Sequence, residues 1–158
     1  MSLLELFQWV QFSPPLVAMR SSEWLFPVIA TIHLMGLSVV GGSVLVVDLR
    51  LLGLGLRRQP VAQVASDAEP WLWRGLAVMV ATGIPLFMCF ATKYYYLTFF
   101  WVKMTALVLV IAFNVAVRRR LTMASDAQTR PGWSKLVAVV SLSLWTTVAI
   151  GGRWIGFP

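Results

Sequence analysis

Two ionisable side chains stand inside long apolar runs, and both belong to residue types that bind cofactors or move protons. His33 is the only histidine in 158 residues, and it lies in a run from Trp24 to Val47 that has no Asp, Glu, Lys or Arg. Lys103 interrupts a second apolar run, in "FFWVKMTALVLV". Ionisable groups are costly to place in a bilayer, so each is a candidate site by default. His33 falls roughly 14 Å along a helix from Trp24, and Lys103 roughly 8–12 Å into its own helix from the same side. The two could meet in the outer half of a bundle.

Helical spacing sets Gly36, Leu37, Val40 and Gly41 on nearly the same face as His33. Glycines there remove bulk beside an imidazole. One chemistry this allows is a flat ligand such as a porphyrin against the helix, with His33 as the metal ligand. The other is close helix packing through small residues, with His33 hydrogen-bonded to a neighbouring helix. A second histidine from the same chain is excluded. The remaining axial position could fall to Lys103, to Met35, Met79, Met88 or Met104, to His33 of a second copy, or stay open. A copper site of His33 and methionines is chemically allowed, but no Met-x-x-Met or His-rich run supports it. Lys103 could instead reach the headgroups through its four-carbon stem.

The elements that must hold these residues follow from composition. Apolar residues make up 59% of the chain and charged residues only 12%, where soluble domains carry about a quarter charged. The 24 uncharged residues from Trp24 to Val47 rise about 36 Å as a helix, enough to cross a hydrocarbon core of about 30 Å. The expected fold is all-α: an integral membrane four-helix bundle forming one domain over residues 1–158. Helices are expected over about residues 22–51, 70–90, 96–117 and 133–150. "SDAEP" offers Ser66 and Glu69 at capping-box spacing before Pro70, and "GGR" at Gly151 to Arg153 suits a helix end. "SLLELFQWV" puts Leu3, Leu4, Phe7 and Val10 on one face before Pro14-Pro15. That predicts a short interfacial helix, with no sign of a cleaved signal peptide.

The formal charge is +7, yet its distribution argues against nucleic acid. Arg50, Arg57, Arg58 and Arg74 cluster after the first helix, and Arg118, Arg119, Arg120, Arg130 and Lys135 after the third. The positive-inside rule places both basic loops in the cytoplasm and both termini in the periplasm, in a bacterial inner membrane. Asp48 and Arg74 are expected to pair or face water near the inner surface. Asn114 and the group Ser141, Ser143, Thr146 and Thr147 are expected to supply interhelical hydrogen bonds. Cys89 has no intrachain partner, and the nucleotide-loop, metalloprotease and Cys-x-x-Cys patterns are absent.

"EWLFPVIATIHLMGLSVVGGSVLVVDLRLLGL", "FFWVKMTALVLVIAFNVAVRRR" and the terminal "GGRWIGF" resemble an uncharacterised family of bacterial four-helix membrane proteins. That likeness spans nearly the whole chain and implies the fold without an activity. More distantly, the layout is similar to HemJ-type protoporphyrinogen oxidases and CopD-type copper-resistance membrane proteins. The HemJ type has a first-helix histidine followed by a Gly-containing stretch and a basic end, matched here by His33, Gly41 and Arg50. It has a lysine early in its third helix, matched by Lys103. The histidine and the lysine are tied there to haem b, and Gly83 stands for its second-helix glycine. The further histidines and the aromatic-rich run of that type are missing, with "VLVVDLRLLG" in the latter's place. The resemblance therefore implies porphyrin binding rather than the oxidase reaction.

Together these features lead to one expectation: a haem b-binding membrane protein of electron transfer. His33 would be axial ligand, and Lys103 second ligand, propionate partner or proton handler. Its partners would be the bilayer, a quinone or redox subunit, and further copies or subunits. The competing expectation is a non-catalytic accessory subunit that scaffolds a larger respiratory or photosynthetic complex.

Overall fold

The protein, seen as a computed structural model, is described over residues 2–56, 58–123 and 131–156. Arg57 and Arg130 of the basic loops and Phe157 of the terminal motif lie outside the described residues. The described residues are helical throughout their regular structure: α1 (Leu3–Gln11), α2 (Pro14–Ser21), α3 (Leu25–Leu52), α4 (Val61–Cys89), α5 (Ala91–Tyr96) and α6 (Thr98–Phe113). A π-helical turn over Asn114–Arg118 joins α6 to α7 (Arg119–Met123), and α8 spans Pro131–Trp154. Four stretches, Leu25–Leu52, Val61–Cys89, Thr98–Thr122 and Gly132–Trp154, are long and apolar enough to cross a membrane. Leu34, Met35, Val108, Leu109 and Val139 point outward from them, as suits a multi-pass bundle whose surroundings are lipid.

Helix ends explain the longer spans. Gly53, at φ +76°, caps α3 in the left-handed conformation that glycine adopts freely. The second long helix begins at Val61, nine residues before Pro70, so the expected capping box lies inside it. Ser66 Oγ donates instead to the Gln63 carbonyl (2.8 Å), and Glu69 pairs with Arg119 (3.1 Å). The extra turns bury Val64 and Ala65 against Val47, Leu51, Leu121 and Val137, which offsets the proline penalty of about 3 kcal/mol. A capping box does form at the chain start. Glu5 N–H donates to Ser2 Oγ (3.2 Å), and Ser2 N–H to Glu5 Oε2 (2.8 Å). Two short helices, not one, then pack on the end of the bundle, where Phe7 meets Phe87 with ring centres 5.4 Å apart.

Inside the bundle, α3 packs most extensively along α4, and α8 lies against both α6 and α3. The tightest crossing is glycine on glycine. A Cβ on Gly36 would stand 3.3 Å from the Gly75 carbonyl oxygen, and one on Gly75 would stand 2.9 Å from Val40 Cγ2. Val40, Val44, Leu76, Val110 and Val148 fill the centre.

Candidate functional site

His33 is half-buried on α3 and faces α4. Its Nδ1 lies 2.9 Å from Thr82 Oγ1, and the Thr82 hydroxyl lies 2.6 Å from the Val78 carbonyl oxygen. The Thr82 hydroxyl carries one hydrogen: given to Val78 it leaves Oγ1 to accept from Nδ1–H, and given to Nδ1 it makes that nitrogen the acceptor. In either case one ring nitrogen is engaged by α4. The ring edge is seated by Gly83, where a Cβ would stand 3.1 Å from His33 Cε1.

Lys103 is half-buried on α6, with its stem against α8. A Cβ on Gly151 would stand 3.1 Å from Lys103 Cβ, and one on Gly152 would stand 3.4 Å from its Nζ. Gly151 and Gly152 thus form a notch for the lysine stem in the last turn of α8, close to the helix end that the sequence suggests. Helices α3 and α6 are bridged by α8, and among the described residues the His33 and Lys103 side chains share no direct hydrogen bond.

The two candidate glycines separate from each other. Gly36 is buried in the α3–α4 crossing, where its missing Cβ would meet Met79 Cγ at 3.1 Å and Val78 Cγ1 at 3.2 Å. Gly41 has open space around it and is exposed. Met79 is core, whereas Met35 and Met104 are turned outward. Among the described residues there is no group of three His, Cys, Asp or Glu side chains that could hold a metal ion.

A second polar cluster occupies the end of the bundle nearer the arginines. Asp48 is 0% exposed and pairs not with Arg74 but with Arg118, Nε to Oδ1 at 3.0 Å. Arg118 also donates to Asn114 Oδ1 (3.1 Å) and to the Val44 carbonyl (3.3 Å). Arg74 lies over the Trp71 ring instead, at 5.5 Å. Ser143 and Thr147 bond back to carbonyls one turn earlier in α8, and Asn114 bonds within its own helix, so these three do not tie helices together.

Sequence reasoning missed Thr82, Gly151 and Gly152 as neighbours of the two candidate residues. No curated protein and no solved structure matches the chain. The model of a family of unknown function, DUF6644, matches residues 25–158, the whole of the bundle from α3 onward, and the chain belongs to that family.

Proposed function

We propose that this chain binds haem b in the membrane for electron transfer, with His33 as a ligand of its iron. The observation that carries this is the hydrogen bond between His33 Nδ1 and Thr82 Oγ1, which fixes the ring against α4. The donor set fits haem iron: one half-buried imidazole, with an ammonium suited to a propionate on another span. The Gly36 surface does not fit a porphyrin face, because α4 fills it. When bound, haem would supply one-electron chemistry at a potential tuned by ligand and burial.

The chain's own residues divide the work. His33 would ligate, Thr82 orients the ring, Gly83 makes room for its edge, and Lys103, held by Gly151 and Gly152, would attract a carboxylate. His33 of a second copy could supply a further ligand. A quinone or a redox subunit would exchange the electron. The distribution of arginines favours basic loops in the cytoplasm and termini in the periplasm of a bacterial inner membrane.

A second function, accessory subunit of a larger complex, is favoured by one observation. Gly41 and Gly42 leave open space on the outside of α3, where a helix of another subunit could approach closely.

The deciding test is an absorption spectrum of the detergent-purified protein, expressed with ample haem, oxidised and reduced, beside His33→Ala. A Soret band with reduced visible bands, lost or shifted in the variant, is expected. A colourless wild type would end the haem proposal in favour of the accessory subunit.

A further inference from the structure

Two consecutive arginines after α6 are put to opposite uses. Arg118 turns inward to Asp48 with its side chain 7% exposed, whereas Arg119 turns outward with 59% exposed. The Arg119 Nε lies 3.1 Å from Glu69 Oε1 on α4, and the Trp73 indole N–H donates to the same oxygen (3.3 Å). That arrangement uses the Nε side of a planar group with five N–H donors. The two Nη atoms remain for an acceptor that binds through paired oxygens, as carboxylates and phosphates do.

An open seam runs beside this guanidinium. Helix α4 packs along α3 and reaches α7, but it barely touches α6. Between the two, Glu69, Trp73, Val115 and Arg119 line a crevice with Ser43 and Val47 of α3 behind it. Its enclosed space of about 20 Å³ holds no more than a water, so a larger occupant must lie along the mouth. Trp73 and Val115 give that mouth exposed apolar surface.

The charge at the mouth favours an anion. Beyond the two ion pairs, Arg50, Arg58, Arg74, Arg120 and Lys135 belong to this end of the bundle, against one further acid, Asp67, among its described residues. Glu69 is itself engaged by Arg119 and Trp73. Arg74, next to Trp73 in α4, lies over the Trp71 ring at 5.5 Å and is in no ion pair among the described residues. Tryptophan beside arginine at the end of a span suits the headgroup layer, and basic pockets between spans bind anionic headgroups.

We propose that the seam between α4 and the α6–α7 junction binds an anionic phospholipid. The Arg119 Nη atoms hold its phosphate, Arg74 and Arg120 add charge on either side, and an acyl chain lies over Trp73 and Val115. The site does not depend on haem binding.

Native mass spectrometry of the full chain, in detergent with equal amounts of phosphatidylglycerol and phosphatidylcholine, tests it. The expected result is a phosphatidylglycerol retained in preference to phosphatidylcholine, and left in place by millimolar inorganic phosphate. Arg119→Gln with Arg120→Gln should lower the preference about tenfold. Because that variant frees Glu69, Arg74→Gln, which leaves the Glu69–Arg119 pair intact, should lower it by a smaller factor. Arg58→Gln with Lys135→Gln removes as much charge from residues that do not line the crevice and should leave the preference nearly unchanged. Val115→Trp, which fills the mouth with an indole, should weaken retention. Equal retention of the two lipids, or a loss as large in the Arg58 and Lys135 variant, overturns the proposal. Displacement by inorganic phosphate overturns a lipid as the occupant, and retention indifferent to Val115→Trp overturns the seam as its seat.

Discussion

The two ends of the bundle handle ionisable groups in opposite ways. Near Asp48 a negative and a positive side chain, 0% and 7% exposed, are bonded to each other at 3.0 Å. Near His33 and Lys103 the ionisable groups sit on separate helices, half-buried and without an ion pair among the described residues. Their surroundings are glycines: Gly83 for the imidazole, Gly151 and Gly152 for the lysine stem. At one end charge is closed on itself, and at the other each group is seated against glycine without a counter-charge among the described residues. Truncating one member of a buried pair strands the other. A half-buried histidine held by a hydrogen bond to Thr82 carries no such penalty.

This contrast orders the expected effects of substitution. Arg118→Ala removes the only cation bonded to Asp48 and should lower stability most, by about 3–5 kcal/mol. Thermal unfolding in detergent measures it, and a loss below about 1 kcal/mol, the value of exposed pairs, would show the pair to be solvated. Gly75→Leu comes next. Its side chain must enter a crossing where even a Cβ meets Val40 at 2.9 Å, an overpacking worth about 1–3 kcal/mol. An undisturbed melting temperature would mean that α3 and α4 separate more readily than their packing implies. His33→Ala should cost only about 1 kcal/mol, one hydrogen bond to Thr82, while abolishing the Soret band. A fall as large as that of Arg118→Ala would make His33 a structural residue and erase the distinction between the two ends.

The difference also explains what the sequence disclosed. His33 and Lys103 stand out because each is an ionisable residue in an apolar helical run, a signal local to the chain. Their partners are not local. Thr82 lies 49 positions from His33, and its selection depends on how α3 rotates against α4. Gly151 and Gly152 have the composition of a helix end, and only packing against Lys103 makes them a notch as well. Asp48, expected to pair with Arg74 or face water, does neither, for a related reason. The π-helical turn adds a residue to one helical turn and swings Arg118 towards α3, and such a turn has no sequence signature. The four spans were legible because each presents enough apolar length for a bilayer. The start of α4 was not, because Ser66 and Glu69 fit a cap as well as they fit their actual bonds.

The smallest expected effect lies outside both clusters, in the aromatic cap formed by α1, α5 and the neighbouring helix ends. Tyr94 is packed among Phe87, Phe90 and Phe100, with ring centres 5.8–6.3 Å away. Burial pushes its phenol above the ordinary value of 10.0, and Cys89 adds to the rise. The folded chain therefore holds this proton more tightly than the unfolded chain. Below about pH 10 both states are protonated and the contribution is fully present. As the pH climbs past that value the unfolded phenol ionises first, so stability declines until the folded Tyr94 ionises as well. Tyr94→Phe should leave the melting temperature at neutral pH nearly unchanged and flatten this alkaline decline. An equally steep decline in the variant would assign it to other groups and would mean that the cap opens to water before Tyr94 titrates.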